Sequence, residues 1–230
     1  KFVQDQRVRT RFAVNSIASK YEKMEYGMIS KGSGKGFELY DEISVEDIAR
    51  EASRVAVTML GAKPAPSGKF PVVLDNKFGG VIFHEACGHG LEATSVAKGN
   101  SVYAGKLGEK IASDIVSAVD DGTILNEWGS LSFDDEGNKP TRNLLIENGV
   151  LKNYMIDELN ARRMKMPATG SCRRESYKLP PTSRMTNTYI LNGKSSFEDM
   201  ISSIDYGVYA KYLGGGSVNT ATGEFNFAAS

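Results

Sequence analysis

Val81–Ser95 reads VIFHEACGHGLEATS and holds both histidines of a 230-residue chain. His84 and His89 flank Glu85 inside an apolar, helix-like segment. Imidazole is the commonest protein ligand for zinc, and a carboxylate beside it is the usual general base. In the familiar H-E-x-x-H string, the two imidazoles share one helix face at i and i+4. Here the spacing is H-E-x-x-x-H. At about 100° per residue, an ideal helix sets these rings roughly 140° apart, against roughly 40° for an i+4 pair. A regular helix would therefore aim them too far apart for one tetrahedral ion. Gly88 and Gly90 bracket His89, and glycine is where a helix can bulge or stop. The expectation is a widened turn or a helix end at Gly88 that swings His89 toward His84. The plain alternative is two core histidines satisfied by hydrogen bonds.

Just upstream, FPVVLD (Phe70–Asp75) reads as a buried strand, and a helix is expected from Lys77 to about Ala97. That unit would set His84 and Glu85 in mid-helix against a sheet. Before it, KPAPSGK (Lys63–Lys69) has the prolines and glycine of a linker. SVEDIAREASRVAVTMLGA opens with Ser44 and Asp47, close to a capping box. Ile48, Ala52, Val55, Ala56, Met59 and Leu60 then recur at helical spacing, and Gly61 ends the run. VRTRFAV and YGMIS, among residues 1–30, read as strands, and Lys31–Glu38 as a glycine-rich turn.

Downstream, ASDIVSAVDDGTI reads as a strand running into a turn at Asp120–Asp121–Gly122. NLLIENGVLKNYMI reads as a hairpin with Asn148–Gly149 at its tip. DELNARRMK and SSFEDMISSI read as short helices, RMTNTYIL as a strand, and the glycine-punctuated end as further strands. The pattern predicts an α+β fold with mixed, largely antiparallel sheets and flanking helices.

Bulk composition excludes several classes. Lys plus Arg and Asp plus Glu each number 28, and no basic block stands out, so direct binding to nucleic acid is not expected. No apolar run approaches a membrane span. Two cysteines, Cys87 and Cys172, make no disulfide framework and suit a reducing cytoplasm. The chain opens at Lys1 and stops at Ser230 in mid-pattern, which reads as a piece of a larger two-domain protein. The expected division is 1–66, the tail of an N-terminal domain with its linker, and 67–230, a catalytic-type domain carrying HExxxH and truncated at its C-terminal end.

HEACGHGLEATS, the later RRESY and RMTNTY strings and the terminal GGGSV together resemble the TldD/PmbA family, whose TldD branch carries H-E-x-x-x-H. VDDGT, DDEG and LIENGVLK extend the likeness over most of the chain. The resemblance implies a zinc-dependent peptidase acting on unfolded or disordered peptides, once described as a modulator of DNA gyrase. It implies a two-subunit assembly with a TldE/PmbA-like partner, or a homodimer, and a substrate entering as an extended strand. His84 and His89 would be zinc ligands and Glu85 the base. The family's third ligand is a cysteine well downstream of GGGSV, matched by neither Cys87 nor Cys172, so the site within 1–230 would be incomplete.

Glu92, three residues past His89, is either a third ligand or a support for the imidazoles. Arg174 and Tyr177 are candidate oxyanion donors, with surface ion pairing the plain alternative for the arginine. Asn187 and Tyr189 are candidates for a peptide groove, and Gly214, Gly215 and Gly216 for close approach of a substrate backbone. The competing function is a non-catalytic scaffold or partner subunit of a peptide-processing complex.

Overall fold

The computed structural model describes residues 2–76 and 79–229. The chain divides into two compact units, one made of residues 6–68 with 125–128, the other of residues 1–5, 69–124 and 129–230.

In the smaller unit, β1 (Thr10–Lys20) and β2 (Lys23–Ser33) pair antiparallel through a tight turn, with Tyr21 at φ 55°. Along β1 every second residue is shielded, the period-2 signature of a sheet covered on one face. A single turn of helix, α1 (Leu39–Glu42), leads to α2 (Val45–Leu60). Ser44 caps α2 by accepting from the Asp47 N–H at 3.2 Å. The buried side chains of α2 are Ile48, Ala52, Val55 and Ala56, the predicted stripe without its last two members. The helix rides close on Gly27, where a Cβ would stand 2.1 Å from the Ala52 carbonyl oxygen. Residues 125–128 belong here because the Gly34 N–H and Ser33 Oγ both donate to the Asn126 carbonyl at 2.8 Å.

The larger unit is α+β. Its central sheet is antiparallel in the order β6-β5-β4-β9, from Val150–Leu151, Arg142–Glu147, Ala118–Asp121 and Thr188–Ile190. Asn148 (φ 49°) and Gly149 (φ 80°) join β5 to β6 in the left-handed conformation that a two-residue hairpin demands. The predicted turn at Asp120–Asp121 is instead the buried end of β4, and the chain turns only after it. β3 (Val72–Leu74) also departs from expectation, since Val72 is exposed and only Val73 is buried. It pairs in parallel with β10 (Val208–Ala210), the one parallel strand pair among the described residues. Two-stranded ribbons β7/β8 (Cys172–Arg173, Thr182–Ser183) and β11/β12 (Leu213–Val218, Phe225–Ala229) complete the sheets. The helices α5 (Glu158–Met164) and α6 (Phe197–Ser202) start at side-chain caps Asp157 and Ser196.

The continuous helix expected from Lys77 to Ala97 is not one helix. Lys77 and Phe78 lie outside the described residues. Beyond them come α3 (Gly80–Phe83), a π-helical turn (His84–Gly88), a 3₁₀ turn (His89–Leu91) and α4 (Ala93–Val96). The break falls at Glu92, whose ψ of 124° is extended. Two backbone bonds hold it there, Ala93 N–H to the Met155 carbonyl at 2.8 Å and Met155 N–H to the Leu91 carbonyl at 3.0 Å. The segment is thus strapped to the chain that follows β6, and Leu91, Ala93 and Met155 are buried in the main core with Leu145 and Ile156.

Candidate metal centre

The π-helical turn answers the angular problem posed by the spacing. His89 N–H bonds the His84 carbonyl, an i→i+5 link, so residues five apart stand one turn apart. The two imidazoles come together with ring centroids 4.6 Å apart and planes at 86°. Ligand atoms of His84, Glu85 and His89 all lie within 4.8 Å of one another, and no other such group of three occurs among the described residues.

Three close contacts hold the widened turn. A Cβ on Gly88 would sit 2.3 Å from Met185 Sδ, so the turn is pressed against a buried methionine. A Cβ on Gly90 would sit 2.8 Å from the Tyr103 ring, and the Tyr103 hydroxyl donates to the Ala86 carbonyl at 2.8 Å. On the other side β11 passes so closely that a Cβ on Gly216 would lie 2.8 Å from Glu85 Cγ. Cys87 is half-buried against the core with its sulfur 3.4 Å from the Tyr103 hydroxyl, as expected of a packing residue.

Glu92 leaves the helix but not the site. One carboxylate oxygen is 3.3 Å from His89 Nδ1, the other 3.5 Å from Arg184 Nη1. The carboxylate therefore orients the His89 ring, and the guanidinium holds the carboxylate. His84 stays neutral to lower pH than an ordinary histidine because it is partly buried and faces His89, an effect that Glu85 and Glu92 oppose. A neutral ring is the form that ligates a metal.

The donor set fits a zinc ion. Ligand atoms at about 2.0–2.2 Å from a tetrahedral zinc stand about 3.3 Å from one another, a spacing that small rotamer adjustments reach from the one observed. Glu85 is buried, and with His89, Glu92, Ser95, Arg184, Gly216, Ser217, Val218 and Thr220 it lines a cavity of about 340 Å³.

Gly216 lines the cavity, while no atom lies within 4 Å of a Cβ built on Gly215, and one on Gly214 would meet Ala228. Arg174 and Tyr177 do not line it. The Arg174 N–H bonds an Asp135 carboxylate oxygen at 2.8 Å, and Tyr177 is 81% exposed under the Lys178 ammonium. Asn187 is spent internally: its Nδ2 donates to the Asp121 carbonyl at 2.7 Å and Ser130 Oγ at 2.8 Å, while its Oδ1 accepts from Gly129 N–H. Tyr189 is half-buried within β9. Cys172 is fully buried and unpaired with Cys87, and its thiol is pushed up by burial and the Glu136 carboxylate. Arg184 was not singled out from sequence. Its signal was its place at the head of the RMTNTY string, which carries part of the family likeness.

Residues 67–230 match the PmbA/TldA metallopeptidase C-terminal domain and residues 1–60 the PmbA/TldA metallopeptidase central domain. The chain belongs to the PmbA/TldD metallopeptidase family. It is 45% identical over 99% of its length to a metalloprotease TldD homolog of Buchnera aphidicola, of which it covers 49%. It is 43% identical over 98% to the Haemophilus influenzae counterpart, covering 48%. A zinc metalloprotease TldD homolog of Saccharolobus solfataricus is 30% identical over 83% of this chain and 42% of that protein. Among solved structures, a Thermotoga maritima protein described as a modulator of a DNA gyrase superposes with a TM-score of 0.79 at 28% identity, over 95% of this chain and 49% of its own. TldE of Thermococcus kodakarensis gives 0.78 at 24% identity, over 96% and 49%, a likeness of fold. The chain spans about half the length of the curated relatives it matches.

Proposed function

We propose that the whole protein is a zinc-dependent peptidase hydrolysing unfolded or disordered peptides, with His84 and His89 as ligands and Glu85 as general base. Residues 67–230 form its catalytic-type domain, and a cysteine beyond residue 230 supplies the third ligand. What supports the reading most is the π-helical turn, which brings the two imidazoles and one buried carboxylate within reach of a single ion.

When bound, zinc supplies Lewis acidity and a lowered pKa for water. The chain's own residues do the rest. Glu85, shielded in the cavity wall, takes a proton from the attacking water and returns it to the leaving amine. Glu92 fixes the His89 ring through Nδ1, which leaves Nε2 as the ligating nitrogen. Gly216 lets β11 pass beside Glu85, so an extended peptide could lie along that edge. The protein works with a TldE/PmbA-like partner subunit, or as a homodimer, in the cytoplasm. No described helix is long and apolar enough to cross a membrane.

The decisive test compares full-length protein with Glu85→Gln on an unfolded peptide, with zinc measured in both. The substitution should keep the metal and lower kcat at least about a hundredfold. Equal turnover by the two proteins would refute the assignment.

A further inference from the structure

A second cleft, of about 510 Å³, opens beside the metal centre and is lined by Arg173, Arg174, Glu175, Leu179, Pro180, Thr182 and Arg184. Three arginines and one glutamate line it, in a chain whose formal charge is zero as a whole. Arg184 is common to both cavities, so the cleft adjoins the site where peptide would be cut. Its partner Glu92 engages one edge of a guanidinium that carries five N–H donors, and Arg174 gives one donor to the Asp135 carbonyl at 3.4 Å. Leu179 and Pro180 provide an apolar flank for methylene groups, and Thr182 a hydroxyl.

Resting on the peptidase reading above, we propose that this arginine-walled cleft binds a carboxylate of the peptide substrate and gives the enzyme a preference for acid-bearing chains. The planar fork of a guanidinium matches a carboxylate in two parallel hydrogen bonds, and a cleft lined by three arginines is suited to that anion. The carboxylate comes either from an Asp or Glu side chain near the scissile bond or from the substrate's C-terminus. Because the cleft is open to solvent, its contribution weakens as salt rises.

The test uses full-length protein and matched unstructured peptides, one arm exchanging Glu for Gln, the other a free for an amidated C-terminus. One arm should show about tenfold higher kcat/KM for the acid-bearing member, falling toward parity at high salt. Arg173→Gln should erase most of that ratio and leave turnover of the neutral, amidated peptide within about twofold, since an exposed side chain is being replaced. If Arg173→Gln does not fold, Arg174→Gln must show the same loss of ratio. Binding of the same labelled peptides to Glu85→Gln separates the two readings. Preferential binding of the acid-bearing peptide, with no cleavage of any peptide by the wild type, keeps the cleft and discards the peptidase. Cleavage and binding indifferent to the carboxylate in both arms discards the cleft and keeps the peptidase.

Discussion

Replacing Gly216 by alanine asks whether the close pass of β11 against the π-helical turn matters to chemistry. The new methyl would stand 2.8 Å from Glu85 Cγ and 3.2 Å from Cδ, and 2.5 Å from the Asn226 carbonyl oxygen across the ribbon. Ordinary contact begins near 3.4 Å, so it is short by about 0.6 Å on the Glu85 side and more on the Asn226 side. The Asn226 atom is backbone tied to Ser217 by strand pairing and cannot swing aside as a side-chain tip can. The strain must therefore be shared with Glu85, which is buried and has little room. A misplacement of about 1 Å at a reacting group costs on the order of a hundredfold in rate, so a shift of about 0.6 Å costs on the order of tenfold. Overpacking of this kind destabilises by about 1–3 kcal/mol. The neighbouring Gly215→Ala is an internal control, because its methyl meets nothing within 4 Å. Steady-state cleavage of an unfolded peptide and denaturant melts on the full-length pair should show Gly216→Ala strongly impaired and Gly215→Ala near wild type. Equal kcat/KM for both alanines would refute the claim that this strand sets the position of Glu85.

Glu92→Gln should weaken zinc binding about ten- to a hundredfold, read by competition with a chromophoric chelator, since the carboxylate orients His89. Burial raises Asp120 to about 6, against the hydrogen bonds that it accepts from Thr186, Thr188 and Ser171. Its native form therefore keeps a proton that the unfolded chain releases near 3.8, so its contribution is fully present below that pH and is lost as pH rises to about 6. The gap corresponds to at most roughly 3 kcal/mol, and the wild-type slope of stability against pH over that window should be shallower in Asp120→Asn when both are unfolded by urea. Burial raises both thiols, Cys87 and Cys172, so alkylating agents at neutral pH should label neither until denaturant is added. Mass spectrometry of native and unfolded samples reads this directly.

What could be read beforehand was local. The apolar stripe of α2 and the Ser44 cap announce themselves within one window, and Asn148–Gly149 announces its hairpin in two letters. The widened turn was legible because a spacing wrong for an α-helix stood beside two glycines. The features that escaped depend on partners distant in the chain. Glu92 leaves the helix because Met155 offers it a backbone pair, and no pattern near residue 92 mentions Met155. Val72 finds its parallel partner at Val208, and Asn126 its donors at Ser33 and Gly34. Arg184 enters the site only through its reach to Glu92. Sequence left Glu92 open between a third ligand and a support for the imidazoles; the extended backbone at that residue sets its carboxylate on His89 Nδ1.

The extra residue between Glu85 and His89 carries a lesson about insertions. Adding one amino acid to a helix ordinarily rotates everything after it away from its former neighbours, yet here the loop of backbone absorbs the addition locally and the rings still converge. Two lineages can thus differ by a letter in their signature string and agree in space. A survey keyed to fixed letter spacing would sort them into separate bins, whereas one keyed to imidazole convergence would set them side by side.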